Sequence, residues 1–435
     1  MRVIGKPYIP GATTGRIVYW WQDEEDLSDS IVVIREISPD EMLQLLSANP
    51  AGVIVIGYRY FSHILIYLFS RQVPAVMISD GDAPKAGEWC LLDGTRGELE
   101  CSGRPLRLPE EEDVIPESFE QSKVGALTGG IVKTIDSEEI VLEASISDSD
   151  GALVARECGA ASIGLVRSEF LGLPRNTPPE RDDYVSLAES IWEAAGTLEI
   201  SWRLLDIGGE KVLPWMRATT ALTDTLGIRG CRAYKLEGVR SIIRAQLQAI
   251  ASMKNHDRCT FLIPYVSSLE EFLRIRLDLQ KDIGSYQPTF GAMLETPSAC
   301  YMAGEISSHT DLIAIGTNDL VQSFFGASRS CSEVAEYIDP YSPAIVRFLS
   351  VVASLQKERS YRICGQFPIL PYVIEYFIGL GFRRFSLEPI VLPQIAQRCS
   401  RINAQNMRKI CDEIKGLDKS IDVLQCLRTA MKSEK

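Results

Sequence analysis

Glu295 in AMLETP and Asp319 in IGTNDL each stand where an apolar run gives way to polar sequence. Two carboxylates delivered by separate strands can share one hard cation, and Mg²⁺ takes one or two of them, completing its octahedron with substrate oxygens and water. Either residue alone reads more readily as a cap on the helix that follows. Arg167 in LVRSEF, Arg203 in WRLLDI, Arg232 in GCRAY and Arg329 in GASR are candidate anion clamps. A guanidinium fork matches carboxylate and phosphate oxygens and keeps its charge. A single such arginine is more often a surface ion pair, but four of them beside two carboxylates imply a small substrate carrying both a carboxylate and a phosphate. Cys364 in ICGQ is placed to give a proton to a carbon or oxygen above the metal, with a buried structural thiol as the equal alternative.

Only three histidines are present, so each can be weighed. His63, in RYFSHILIYLFSR, lies between an apolar strand and a helix, where an imidazole can be presented at a helix N-terminus. On the residues alone it reads as structural, and His256 and His309 read as surface residues in polar loops. The run GALTGGIVKT is no phosphate loop, because Ile131 stands where the lysine would follow the second glycine. Gly208 and Gly209 let the backbone turn tightly beside Asp206.

These residues need a scaffold that brings many strand ends to one place. From about residue 140 the sequence repeats strand then helix through IVLEASIS, ASIGLV, ISWRLLDI, TFLIPYV, TFGAML, DLIAIGT, YRICGQ and RRFSLEP. Eight such units predict an α/β fold closed as a (β/α)₈ barrel, with its site at the C-terminal ends of the strands. An open doubly wound sheet has the same pattern, but no GxGxxG follows an early strand. Residues 1–105 show shorter β-like runs (Arg16 to Trp20, Ser30 to Arg35, Gly52 to Ile56, Ala75 to Ile78, Trp89 to Leu92) with helical stretches near Glu41 and Ile64, which predicts a separate α/β domain. Residues 106–138, with Pro105 just before them and Pro109, Glu110 to Asp113, Pro116 and Gly125 to Gly130 within them, read as a linker or hinge. The barrel and its terminal helices then occupy 139–435.

A net charge of −13 with scattered Lys and Arg offers no stripe for nucleic acid. The longest apolar stretch, Gly52 to Ser70, carries Arg59 and His63 at its middle and so does not read as a membrane span. Eleven cysteines without a CxxC pair suit reduced thiols in a cytoplasmic protein, and the amino terminus lacks the apolar core of a signal peptide.

The set IGLVRSEFLGLPRNTPP, RLLDIGGEKVLP, GCRAYKLEGVRSIIRAQLQAI, GAMLETPSA, IGTNDLVQSFFGASR, YSPAIV and ICGQ, in this order, resembles the phosphoenolpyruvate-utilising family. Its members include Enzyme I of the sugar phosphotransferase system, phosphoenolpyruvate synthase and pyruvate phosphate dikinase. The resemblance extends to PYIPGATTGRIV, REISPDEM, SHILIYLFSRQVPAVMI and GEWCLLDGTRGELE, which are similar to the family's swivelling phosphohistidine domain. It implies that Glu295 and Asp319 bind Mg²⁺, and that Arg167, Arg203, Arg232, Asn318 and Arg329 hold phosphoenolpyruvate. It further implies that His63 accepts the phosphoryl group and Cys364 protonates the enolate to give pyruvate. Barrels of this family commonly dimerise, so a homodimer is expected.

The chain departs from the family pattern in three places. Tyr58, Arg59 and Phe61 stand where two glycines and a threonine usually precede the Ser-His pair, and the run Gly365 to Leu370, with Gln366 in place of the glutamate, stands where a Gly-Glu pair and a small Gly- and Asp-containing turn usually follow the cysteine. Neither the ATP-binding domain nor the helical insertion that docks the phosphocarrier protein fits in the residues before the linker. The acceptor is therefore open, a small metabolite or a separate protein. The leading expectation is a phosphotransferase relaying through His63. Direct enolate chemistry without a phosphohistidine, or a catalytically silent binding module, are the alternatives.

Overall fold

The computed structural model of the chain describes residues 2–20, 27–35, 41, 44–45, 48–57, 68–69, 73–107, 129–171, 177–208, 215–216, 222, 224, 226–254, 256–284, 286–310, 312–329, 331, 333–356 and 361–433. His63 lies outside the described residues, as do Tyr58, Arg59, Phe61, Ile64, Gly209 and positions 108–128 of the expected linker.

Eight strands form a first sheet: β1 (Arg2–Ile4), β2 (Lys6–Ile9), β3 (Ala12–Tyr19), β4 (Ser30–Ile34), β5 (Gly52–Ile56), β6 (Ala75–Ile78), β7 (Trp89–Asp93) and β8 (Glu98–Ser102). Their order is β1-β8-β7-β3-β4-β5-β6-β2, with β3 to β6 parallel and the flanking strands antiparallel. Every residue of β4, β5 and β6 is buried, as uninterrupted β-branched runs require when both faces of a parallel sheet are covered. The expected strands from Arg16, Ser30, Gly52, Ala75 and Trp89 are all present.

The second sheet begins with β9 (Ile131–Lys133), inside the segment read as linker, which pairs antiparallel with the start of β10 (Glu139–Ile146). Seven more strands follow: β11 (Ile163–Arg167), β12 (Ile200–Arg203), β13 (Cys259–Val266), β14 (Thr289–Leu294), β15 (Ile313–Gly316), β16 (Arg362–Cys364) and β17 (Arg384–Leu387). All eight from β10 to β17 are parallel, and β10 pairs with both β11 and β17. That closure makes the sheet a (β/α)₈ barrel and removes the open-sheet alternative.

Helices cover the barrel with apolar stripes. In Glu237–Ala251 the buried side chains Val239, Ile242, Ile243, Gln246, Leu247 and Ile250 recur at helical spacing. Each buried aliphatic among them contributes about 1.5–3 kcal/mol. Gln246 is the polar exception, and its amide accepts the Leu205 N–H at 3.3 Å and donates to the Arg203 carbonyl at 3.2 Å, bracing the end of β12.

Inside the barrel Leu165, Leu262, Met293, Ala314 and Cys364 form a small apolar layer. Toward the strand starts, Arg362 meets Glu143 in a bidentate pair at 2.6 and 2.9 Å and also donates to the Gly164 carbonyl and Ser201. Arg384 and Ser162 complete the shell of Glu143, so this buried charge is paired and hydrogen-bonded. Among the described residues no helix is long and apolar enough to cross a membrane.

Candidate functional site

Glu295 follows β14 directly. Thr296, not Glu295, caps the next helix: its Oγ1 accepts the Ala299 N–H at 3.3 Å, and Pro297 takes the first helical position. The Glu295 carboxylate is left to point inward, where Oε2 accepts the Tyr265 N–H at 2.9 Å. Tyr265 holds a left-handed φ of 56°, an uncommon conformation for a bulky residue at a strand end. Gly316, the last residue of β15, makes room for Glu295, since a Cβ there would fall 2.4 Å from Oε1.

Asp319 lies in the first turn of the helix Thr317–Phe325, one strand over from Glu295. Its Oδ1 accepts from Arg229 at 2.8 Å, and the two residues are 3% and 1% exposed. Arg203, at the end of β12, is paired with Glu169 and lies 3.4 Å from Asp206. Burial alone would lower its pKa, but Glu169 and Asp206, with Glu295 and Asp319 behind them, raise it further above the arginine range. Arg203 therefore sits in the field of both candidate metal carboxylates.

Arg167, at the end of β11, is paired at 2.5 Å with Glu388 beyond β17. Arg232 donates to Ser267 at 2.5 Å and lies 5.2 Å above the Tyr265 ring. Arg229 lies over the same ring at 5.2 Å, so of these two arginines it is Arg229 that reaches Asp319. Asn318 accepts the Gln366 N–H at 2.9 Å, which fixes the loop after β16 against the loop after β15. Arg329 is held through its main-chain N–H, which donates to Gln322 at 2.9 Å. Burial pushes the Cys364 thiol up to about 12, with Arg362 opposing, so it carries its proton at neutral pH. Its main-chain carbonyl accepts from Thr317 at 2.7 Å.

Sequence reasoning missed Arg229 and the acidic partner Glu169, and read Glu388 only as a polar residue at the end of the eighth strand. RGCR offers two arginines three apart, and it is Arg229 that packs against the tight turn of Gly208, at φ 111°, beside the Ile228 carbonyl. Glu169 lay two residues beyond Arg167 in RSEF and was readable as a partner only once β11 and β12 were known to be neighbours.

The site fits a cation followed by an anion. Arg167 pairs with Glu388, Arg203 with Glu169 and Asp206, and Arg229 with Asp319, so guanidinium and carboxylate charges stand side by side around the site. A divalent cation on Glu295 and Asp319 would add positive charge there and draw in a polyanion. Among the described residues, Arg167 Nε, Arg203 Nε, Glu169 Oε2 and Gln366 Oε1 are buried polar atoms without a hydrogen-bond partner, as groups that meet a ligand would be. Among the described residues no three His, Cys, Asp or Glu side chains form a metal cluster, so an ion held by Glu295 and Asp319 would draw its remaining oxygens from substrate and water.

The family described as "PEP-utilising enzyme, PEP-binding domain" matches residues 122–404. A phosphoenolpyruvate-protein phosphotransferase of Haloferax volcanii is 27% identical over 420 residues, which cover 92% of this chain and 72% of that protein. A protein of the same name from Geobacillus stearothermophilus is 29% identical over 388 residues, covering 85% and 67%. The multiphosphoryl transfer protein 1 of Escherichia coli K12 is 25% identical over 395 residues, and this chain spans about half its length, 47%.

Proposed function

The chain belongs to the phosphoenolpyruvate-utilising enzymes, and from that membership we propose that it transfers the phosphoryl group of phosphoenolpyruvate to His63 and onward to a second acceptor. The observation that carries this reading is the pair of buried carboxylates, Glu295 and Asp319, at the ends of neighbouring strands, ringed by Arg203 and Arg229. Glu295 and Asp319 would hold Mg²⁺, and the bound ion would supply positive charge against the oxygens of the phosphoryl group.

The remaining work falls to side chains of this chain. Arg167, Arg203 and Arg229, with Asn318, Arg232 and Arg329 around them, would exchange part of their pairing with Glu388, Glu169 and Asp319 for the phosphate and carboxylate oxygens of the substrate. Such positioning and charge neutralisation is most of what phosphoryl transfer requires. A phosphorus–nitrogen bond forms at His63 as the phosphorus–oxygen bond of phosphoenolpyruvate breaks. The enolate left behind takes the Cys364 proton at carbon and leaves as pyruvate. The name of the relatives in Haloferax and Geobacillus favours a protein as the final acceptor.

Incubation with phosphorus-labelled phosphoenolpyruvate and Mg²⁺ tests the relay. Wild type should gain acid-labile label, His63→Ala should gain none, and Glu295→Gln should label at least about 10²-fold more slowly. Equal labelling of His63→Ala, or none in wild type, sinks the relay. Pyruvate formation that survives His63→Ala but not Glu295→Gln would mean that the barrel uses the enolate directly.

A further inference from the structure

Cys90 in β7 and Cys101 in β8 stand directly opposite each other in an antiparallel register, with their sulfurs 2.8 Å apart. No other part of the proposed phosphotransfer uses them. Opposed residues in an antiparallel ladder have Cα atoms about 4.5–5.5 Å apart, inside the about 4.4–6.8 Å that a disulfide spans. A metal bound between two thiolates at about 2.3 Å each would hold the sulfurs near 3.8 Å, so the observed approach is too close for an ion and suited to a covalent bond. We propose that Cys90 and Cys101 are a reversible disulfide site that pins β7 to β8 under oxidising conditions.

Access favours Cys101 as the first thiol to react. The outermost strand, β1, pairs with Glu98, Leu99 and Glu100 and stops there, so Cys101 lies beyond the last rung of the covering strand. Cys101 is 4% exposed and Cys90 fully buried, and fraying of the strand end uncovers the former first. With a small-molecule disulfide as oxidant, the Cys101 thiolate attacks one sulfur, forms a mixed disulfide and releases one thiolate. Cys90 then attacks the Cys101 sulfur, forms the intrachain bond and expels the second thiolate. The protein loses two protons and two electrons, and the oxidant becomes two thiols.

The test uses the full chain treated with glutathione disulfide and then alkylated in denaturant. Expected are an intact mass lower by two hydrogens, two fewer alkylated thiols among the eleven cysteines, and full reversal by dithiothreitol. Tryptic cleavage after Arg96 separates the two cysteines, so their peptides should remain joined until reduction. Cys101→Ser should lose the cross-link and leave Cys90 alkylatable. If that variant does not fold, the wild-type peptide map still decides. Cys90 and Cys101 both alkylated after oxidation, both carrying separate glutathione adducts, or joined to other cysteines would overturn the proposal. This result is independent of phosphoenolpyruvate turnover, so it can fail while the phosphotransfer reading stands.

Discussion

Glu143 is fully buried, and burial by itself would raise its pKa. The charges of Arg362 and Arg384 outweigh that and hold it down to about 2 from an ordinary 4.5. A depressed carboxylate stabilises the fold above its unfolded pKa and loses that contribution as pH falls toward the folded value. The window is therefore from about 4.5 down to about 2. Urea midpoints measured at pH 7, 5, 4 and 3 should fall across this range. Glu143→Gln should be less stable at pH 7, because it leaves Arg362 without its bidentate acceptor, and its own pH profile should be flatter. A mutant profile as steep as wild type would place the acid-sensitive group elsewhere. The same logic of paired burial governs the mouth of the barrel, where Arg229 and Asp319 secure each other until a ligand arrives.

At the scale of elements, the site depends on how closely β14 and β15 approach, and Gly316 is where that approach is tightest. Gly316→Ala would set a Cβ 2.4 Å from Glu295 Oε1 without altering any charge. We expect an overpacking cost of about 1–3 kcal/mol and a turned Glu295, seen as a higher Mg²⁺ requirement for turnover with the circular dichroism spectrum unchanged. Mg²⁺ dependence identical to wild type would show that Glu295 is not a metal ligand. The eight barrel strands were legible because each carries its own apolar run and its own polar end, so the positions of Glu295, Asp319, Arg167 and Arg203 could be read locally. In contrast, β8 and β9 were not read, and β1 and β2 only as one strand and a turn at the amino terminus. Arg2–Ile4 and Ile131–Lys133 have only three residues, Lys6–Ile9 contains a proline, and Glu98–Ser102 carries two glutamates. Of these, β1, β2 and β9 are sheet edges and β8 lies between β1 and β7; they are strands because a distant neighbour offers a ladder, which their own composition does not announce. Arg229 escaped for the same reason, since which of two arginines in RGCR faces Asp319 depends on the turn at Gly208 and on the Tyr265 ring from the next strand.

Across the whole molecule, a relay carried by a swinging domain would need the first sheet to part from the barrel and to keep a fold of its own. Between the two, Lys6 donates to the Glu336 carbonyl at 3.3 Å, and burial there lowers its pKa against the opposing pull of Asp339 and Glu336. That polar contact is individually weak, but one apolar cluster also runs from Tyr8 and Ile9 into the barrel residues, so parting the two would uncover apolar surface. The disulfide offers a way to measure the separability. Closing the short span from Cys90 to Cys101 should stabilise the part that contains it by about 3 kcal/mol. With an unfolding entropy near 2.1 cal/mol/K per residue, a part of about 105 residues would rise by more than about 10 °C, whereas the whole chain unfolding as one unit would rise by only about 3 °C. Calorimetry of oxidised and reduced protein should therefore show two transitions, one displaced by the larger amount and the other fixed. A single transition moved by the smaller amount would mean that the apolar cluster running from Tyr8 and Ile9 into the barrel residues binds both sheets into one cooperative unit. The phosphoryl group would then have to be passed on without a swinging domain.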